Sequence, residues 1–151
     1  MFICSIKMSR KRLALAGAAV LLAVLVGVGF ALAGKNAPRR EGGDNTARLA
    51  FLSSYGWTAE EEPVETAEVA IPAAFGEVYE AYNALQLSQG FDLIPYKGRM
   101  AARYTYHITN YPDQPEMRAN LLVCDGQIIG GDLSLPQIDG FICNFAGEPY
   151  S

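Results

Sequence analysis

One histidine, eight tyrosines and a run of glutamates are the residues of this 151-residue chain that could do chemistry. His107 alternates with Arg103 and Thr105, so on a strand the three side chains leave the same face, an arrangement able to receive an anion. A second histidine does not exist, which rules out a multi-His metal centre or relay. No serine sits in a Gly-x-Ser-x-Gly turn. Glu60-Glu61-Glu62 reads as a solvated turn and Asp125 as part of a hairpin, so neither forms the paired carboxylates of acid/base catalysis. Gly130-Gly131 lacks the spacing, lysine and following helix of a phosphate loop. These patterns imply no catalytic residue, no metal and no cofactor. Tyrosines are the remaining resource. Tyr79 and Tyr82 fall on a helix, Tyr104 and Tyr106 on a strand, and Tyr55, Trp57, Tyr96 and Tyr111 near element ends. If Tyr82 and Leu85 face Tyr104 and Tyr106 across one helix–sheet contact, a groove there could hold a peptide or glycan. The ligand-facing candidates are Tyr79, Tyr82, Arg103, His107 and Tyr111.

The elements that must position these residues begin after a membrane signal. Leu13 to Ala33 carries no charge over 21 residues and follows Lys7, Arg10, Lys11 and Arg12. As a helix it spans ~31 Å, enough for the ~30 Å hydrocarbon core of a bilayer. The segment exceeds the 7–15 residue core of a signal peptide, which favours an uncleaved anchor, although Ala31-Leu32-Ala33 before Gly34 offers a cleavage site. The expected organisation is a cytoplasmic tail over 1–12, a transmembrane helix or signal segment over 13–33, a tether over 34–43 and an extracytoplasmic domain over 44–151. Cleavage after Ala33 would make the protein secreted.

From Glu41 onward there are five Lys and Arg against 16 Asp and Glu, whereas all seven charged residues of 1–40 are basic. An acidic exported part excludes nucleic acid as its partner, since phosphate binding needs clustered cations. It is long enough for one domain with one core. Cys124 and Cys143 lie in a compartment that permits a disulfide, worth roughly 3 kcal/mol if it closed, but two free buried thiols fit the spacing equally well.

Within the domain, Asp44-Asn45-Thr46 supplies N-cap side chains for a helix to Tyr55, with Ala47, Ala50, Phe51 and Tyr55 on one stripe that Leu49 and Leu52 widen. Alternation over Thr66–Ile71 predicts a strand ended by Pro72. Pro72 then opens a helix whose face is Phe75, Val78, Tyr79, Tyr82, Leu85 and Gln89, closed by Gly90. Arg99–Thr109 is a strand with Met100, Ala102, Tyr104, Tyr106 and Ile108 inward. Arg118–Cys124 and Gln127–Leu133 form a hairpin on Asp125-Gly126, pairing Val123 with Ile128, Leu122 with Ile129, and Gly130-Gly131 with Leu121 and Asn120. Both faces of that hairpin are apolar, so layers on both sides are expected. The tail, with Ile138, Phe141, Ile142 and Phe145, should pack back. The fold class is α+β, an α-β-α-β-β-β domain with an antiparallel sheet and helices packed on it.

Four segments, FLSSYGW (Phe51–Trp57), IPAAFGEVYEAYNALQLSQGFDLIPYKG (Ile71–Gly98), YTYHITNYP (Tyr104–Pro112) and RANLLVCDGQIIGGD (Arg118–Asp132), together resemble the domain-of-unknown-function family numbered 4830. The segments after Asp132 match that pattern less well. The resemblance implies an exported envelope protein of a Gram-positive, clostridial-type Firmicute and brings no activity with it. The expected function is a non-enzymatic, membrane-tethered binding or accessory module meeting an envelope protein, peptide or glycan. A tethered or secreted hydrolase, and a sensing or inhibitory module acting on a neighbouring membrane protein, are the alternatives.

Overall fold

The computed structural model describes residues 40–150. The expected cytoplasmic tail over 1–12, the apolar segment 13–33 and the first part of the expected tether, 34–39, lie outside them. Among the described residues no helix is long and apolar enough to cross a membrane.

Helix α1, Asn45–Ser54, starts where Asp44 accepts the Ala47 N–H at 2.7 Å, and it stops at Gly56, whose φ of +87° suits glycine. Its buried side is centred on Arg48 and Leu52, while Ala50 faces solvent. Strand β1, Glu65–Ala70, leads through Pro72 into an irregular segment, and helix α2, Glu77–Ser88, begins only after Gly76. Pro72 therefore ends the strand without opening the helix. Glu77 and Glu80 supply negative charge to its first turn. A 3₁₀ turn, Ile94–Tyr96, precedes β2, Met100–His107; β3, Arg118–Cys124, and β4, Gln127–Ser134, form the hairpin. A short β5, Ile142–Cys143, follows. The antiparallel sheet runs β1-β2-β3-β4-β5, one strand more than the pattern alone gave, because two residues of the tail pair with Leu133 and Ser134.

The sheet is covered on both faces, and its two apolar clusters differ. One joins Leu52, Tyr106, Ile108, Leu121, Val123, Ile128, Leu133, Cys143 and Phe145 beneath α1. The other joins Ile71, Leu93, Ala101, Leu122, Cys124 and Ile129, with Phe75, Tyr79, Tyr82 and Tyr96 packed against it. The expected single helix–sheet contact is thus two contacts. Tyr104 and Tyr106 meet α1, where Arg48 stacks on the Tyr104 ring and its Nε donates to the Tyr106 hydroxyl at 2.8 Å. Tyr82 and Leu85 belong to α2 on the opposite side. Val78, placed on the packed stripe by periodicity, is 87% exposed, and the buried face of α2 is Asn83, Leu85 and Gln86.

Two polar insertions explain that face. Gln86 is fully buried because its carboxamide brackets Gly131, donating to the carbonyl at 2.9 Å and accepting its N–H at 2.8 Å. Asn83 accepts the Leu93 N–H at 2.8 Å and fixes the turn after the helix. Backbone polar groups without sheet partners are satisfied in this way rather than left orphaned.

Phe145 closes the opposite layer. It is fully buried against Phe51, Tyr55 and Phe91, and its carbonyl accepts the Trp57 indole N–H at 2.6 Å. Phe141 is half-buried, but Ile138 and Ile142 stay exposed. The free Cys124 and Cys143 are buried in the two different clusters, so no disulfide joins them.

Residues 40–43 belong to the domain and not to a tether. Gly42 N–H bonds the Gly126 carbonyl at 2.9 Å, Ile128 N–H bonds the Arg40 carbonyl at 2.7 Å, and the Arg40 guanidinium lies over the Phe91 ring. The hairpin end offers these backbone groups to an adjoining segment, and the first residues of the domain take them.

Candidate functional site

On the α2 side of the sheet, a pocket of about 290 Å³ is lined by Val69 and Ala70 of β1, Tyr79 and Tyr82 of α2, Arg103 of β2, Asn120 and Leu122 of β3, and Asp132 of β4. Strand alternation sends Arg103, Asn120 and Leu122 to this face. Asp132 arrives by a different route. Val123 pairs with Ile128 as the hairpin turn dictates, but Leu122 then pairs with Gly130, leaving Ile129 as an extra residue. This bulge advances the register by one, so Asn120 faces Asp132 instead of Gly131. Without it, the alternation would turn the carboxylate toward the apolar layer beneath α1.

The pocket floor is a hydrogen-bonded set. Thr105 Oγ1 donates to Asn120 Oδ1 at 2.8 Å; Asn120 Nδ2 donates to Asp132 Oδ1 and to Ser134 Oγ, each at 2.9 Å. The Tyr82 hydroxyl donates to Asp132 Oδ2 at 2.8 Å. Burial raises the Asp132 carboxyl above its ordinary 3.8, against the opposing pull of the Asn120 and Tyr82 hydrogen bonds and of the Arg103 charge. Burial also raises the Tyr82 phenol well above 10, followed by the charge of Asp132, so it remains a protonated donor.

At the rim, Arg103 Nη2 pairs with Glu65 at 2.6 Å, and its Nε is buried without a hydrogen-bond partner among the described residues. Tyr79 brings its ring against Phe75 and Tyr82, and burial raises its phenol. The arrangement can hold a small molecule by its polar end while Val69, Leu122 and the Tyr79 ring cover its apolar part.

Of the five residues expected to face a ligand, three converge here: Tyr79, Tyr82 and Arg103. His107 does not. It leaves the same sheet face at the far end of β2, where Nδ1 lies 3.0 Å from Glu60 and Nε2 meets the Pro115 carbonyl at 2.5 Å. Both partners only accept, so both ring nitrogens are called on to donate, and the imidazole is raised above 6.5 by Glu60 and then by Pro115. Tyr111 lies with the α1 layer, stacked on Trp57 at 5.3 Å.

Asp132 and Asn120 are pocket residues that alternation concealed. A signal was present in Gly130-Gly131 just before Asp132, since paired glycines inside a strand mark a bulge or close approach. Among the described residues no group of three His, Cys, Asp or Glu stands where it could hold a metal ion.

A second groove of about 320 Å³, lined by Val78, Ala81, Tyr82, Leu85, Ile142 and Tyr150, shares Tyr82 with the pocket. Its lining offers little polar chemistry to orient a ligand.

The family model for Domain of unknown function (DUF4830) matches residues 51–133, more than half of the chain. The chain belongs to this family. The DUF4830 match runs from the middle of α1 to β4 and contains every residue that lines the polar pocket, whereas β5 and Phe145 fall after it. No curated protein and no solved structure matches the chain.

Proposed function

We propose that the chain is a membrane-tethered, extracytoplasmic binding module of the cell envelope, and that the pocket between α2 and the sheet is where it holds a small polar ligand. The carrying observation is Asp132, a buried carboxylate at the floor of an open pocket, fixed by Tyr82 and Asn120 from two other elements. Burying a charge is costly, and a fold retains it at a pocket when something there makes use of it. A non-enzymatic role is favoured because the Tyr82 hydroxyl and Asn120 amide protons are already committed within the set, and His107, the one available imidazole, is engaged by Glu60 and Pro115. The tether is supported by Leu13–Ala33 and its basic flank.

Two measurements test the reading. Full-length protein should fractionate with the membrane, and protease added outside protoplasts should degrade the domain; a mature chain beginning at Gly34 in the medium would overturn the anchor. For the pocket, thermal unfolding of full-length protein in non-ionic detergent should shift upward with at least one of a panel of free amino acids, amino sugars and peptidoglycan stem peptides. The shift should vanish in Val69→Trp, which fills the pocket from an edge strand. Shifts that survive this substitution would move binding elsewhere.

A further inference from the structure

We propose that the pocket takes a small primary amine, its ammonium group seated on Asp132, Asn120 Oδ1 and the Tyr82 hydroxyl oxygen. The inference rests on the binding reading above and specifies its ligand. It follows from where the protons of the floor go. Tyr82 spends its only hydroxyl proton on Asp132, and Asn120 spends both amide protons on Asp132 and Ser134. What these groups still offer is lone pairs: a Tyr82 oxygen that only donates so far, an Asn120 carbonyl oxygen holding one donor, and an ionised Asp132 able to accept about four hydrogen bonds. A ligand meeting this floor must therefore bring donors, and an ammonium brings three, whereas the one donor left over in the lining, Arg103 Nε, belongs to the rim and not to the floor.

Charge points the same way. Arg103 is ion-paired with Glu65 at the rim and acts on Asp132 only from a distance, since no Lys or Arg lies within ion-pair distance of this buried carboxylate among the described residues. A monocation neutralises the site, whereas a carboxylate or phosphate would add a second buried negative charge beside Asp132. The Tyr79 and Tyr82 rings, 5.9 Å apart and near perpendicular, supply π surface beside the cation. Val69 and Leu122 provide the apolar wall for the carbon skeleton that carries the amine.

The test uses three probes that share one ring and differ in the polar end: benzylammonium, benzyl alcohol and benzoate, followed by saturation-transfer NMR on the full-length protein in non-ionic detergent at pH 7. Benzylammonium should bind, and Asp132→Asn, which removes the charge and inserts an N–H donor, should weaken it about tenfold or more. Val69→Trp should abolish the signal while leaving the Asp132 set intact, and a cooperative thermal transition retained by Asp132→Asn separates its weaker binding from a fold defect. Acidification should weaken benzylammonium as Asp132 takes up its proton; the other ionisable groups around that carboxylate are Tyr82 and Tyr79 from α2, whose phenols burial raises, Arg103 from β2 with its partner Glu65 from β1, and Cys143 from β5, whose thiol burial raises. Benzoate binding more tightly than benzylammonium, or benzyl alcohol binding equally well, with either signal lost in Val69→Trp, would overturn the amine and leave the binding pocket standing. Signals indifferent to Val69→Trp would overturn both, and silence from benzylammonium would overturn the amine.

Discussion

Tyr82 reaches from helix to sheet to hydrogen-bond Asp132, and the worth of that bond depends on the charge of its acceptor. Because burial raises the Asp132 carboxyl above 3.8, the folded state holds this proton more tightly than the unfolded chain. The associated stability is fully present below pH 3.8 and is lost as pH rises through the folded value. The Tyr82 hydroxyl opposes that loss by favouring the ionised form. Tyr82→Phe should therefore cost about 1 kcal/mol in acid, where the acceptor is neutral, and about 2–3 kcal/mol near pH 7, where it is charged. Urea midpoints of variant and wild type at equal slope, taken from pH 3 to 7, check this; a difference that shrinks as pH rises would show that Asp132 is not the acceptor. Tyr79, Tyr82 and Arg103 were legible as neighbours of one pocket because aromatic and cationic side chains on predicted faces are visible in a sequence. His107 and Tyr111 were equally visible but are drawn to Glu60, Pro115 and Trp57, partners set by loops that periodicity does not describe.

At the scale of elements, the β3–β4 hairpin carries the decisive irregularity. Gly131 has φ +151°, and a Cβ there would collide with the Asn120 carbonyl oxygen and lie 2.6 Å from the Phe145 ring. Its backbone is also read at both ends by Gln86. Gly131→Ala should cost about 3 kcal/mol or more, since strand backbone and a packed phenylalanine cannot both retreat. Urea unfolding measures this, and the near-ultraviolet signal of Trp57, bonded to the Phe145 carbonyl, should change with it. A variant as stable as wild type would mean that the bulge places Asp132 differently. The two strands and their Asp125-Gly126 turn were readable from alternation and turn chemistry. Ile129 as the unpaired residue was not, because a one-residue slip leaves the apolar composition of the strand unchanged while exchanging its faces.

For the whole molecule, residues 40–43 define where the domain starts, and two neighbouring glycines separate the alternatives. A Cβ on Gly42 would stand 2.6 Å from Ile128 Cγ1 and 3.2 Å from Val123 Cγ2, whereas one on Gly43 would meet only Gly126, at 3.5 Å. Gly42→Ala should cost about 1–3 kcal/mol by overpacking. Gly43→Ala should stay within about 0.5 kcal/mol. Comparable urea midpoints for the two variants would return this segment to a tether.

The sequence by itself determined the helices, the long strands, the hairpin turn and the two-sided burial of β3 and β4, because each follows from side-chain period or from turn geometry over a few neighbouring residues. It also supported the family resemblance that the match over 51–133 bears out. Tertiary structure decided which layer each aromatic joined, since one strand sends Tyr104 and Tyr106 to α1 and Arg103 to α2, and local pattern does not say which helix lies on which face. It likewise decided that Gln86 is core, because only the approach of α2 to Gly131 gives a buried amide its partners. The pocket was the last to be fixed: Asp132 faces Tyr82 only after a bulge between distant elements has turned the strand, and that registration is a long-range balance of packing which no short stretch of sequence contains.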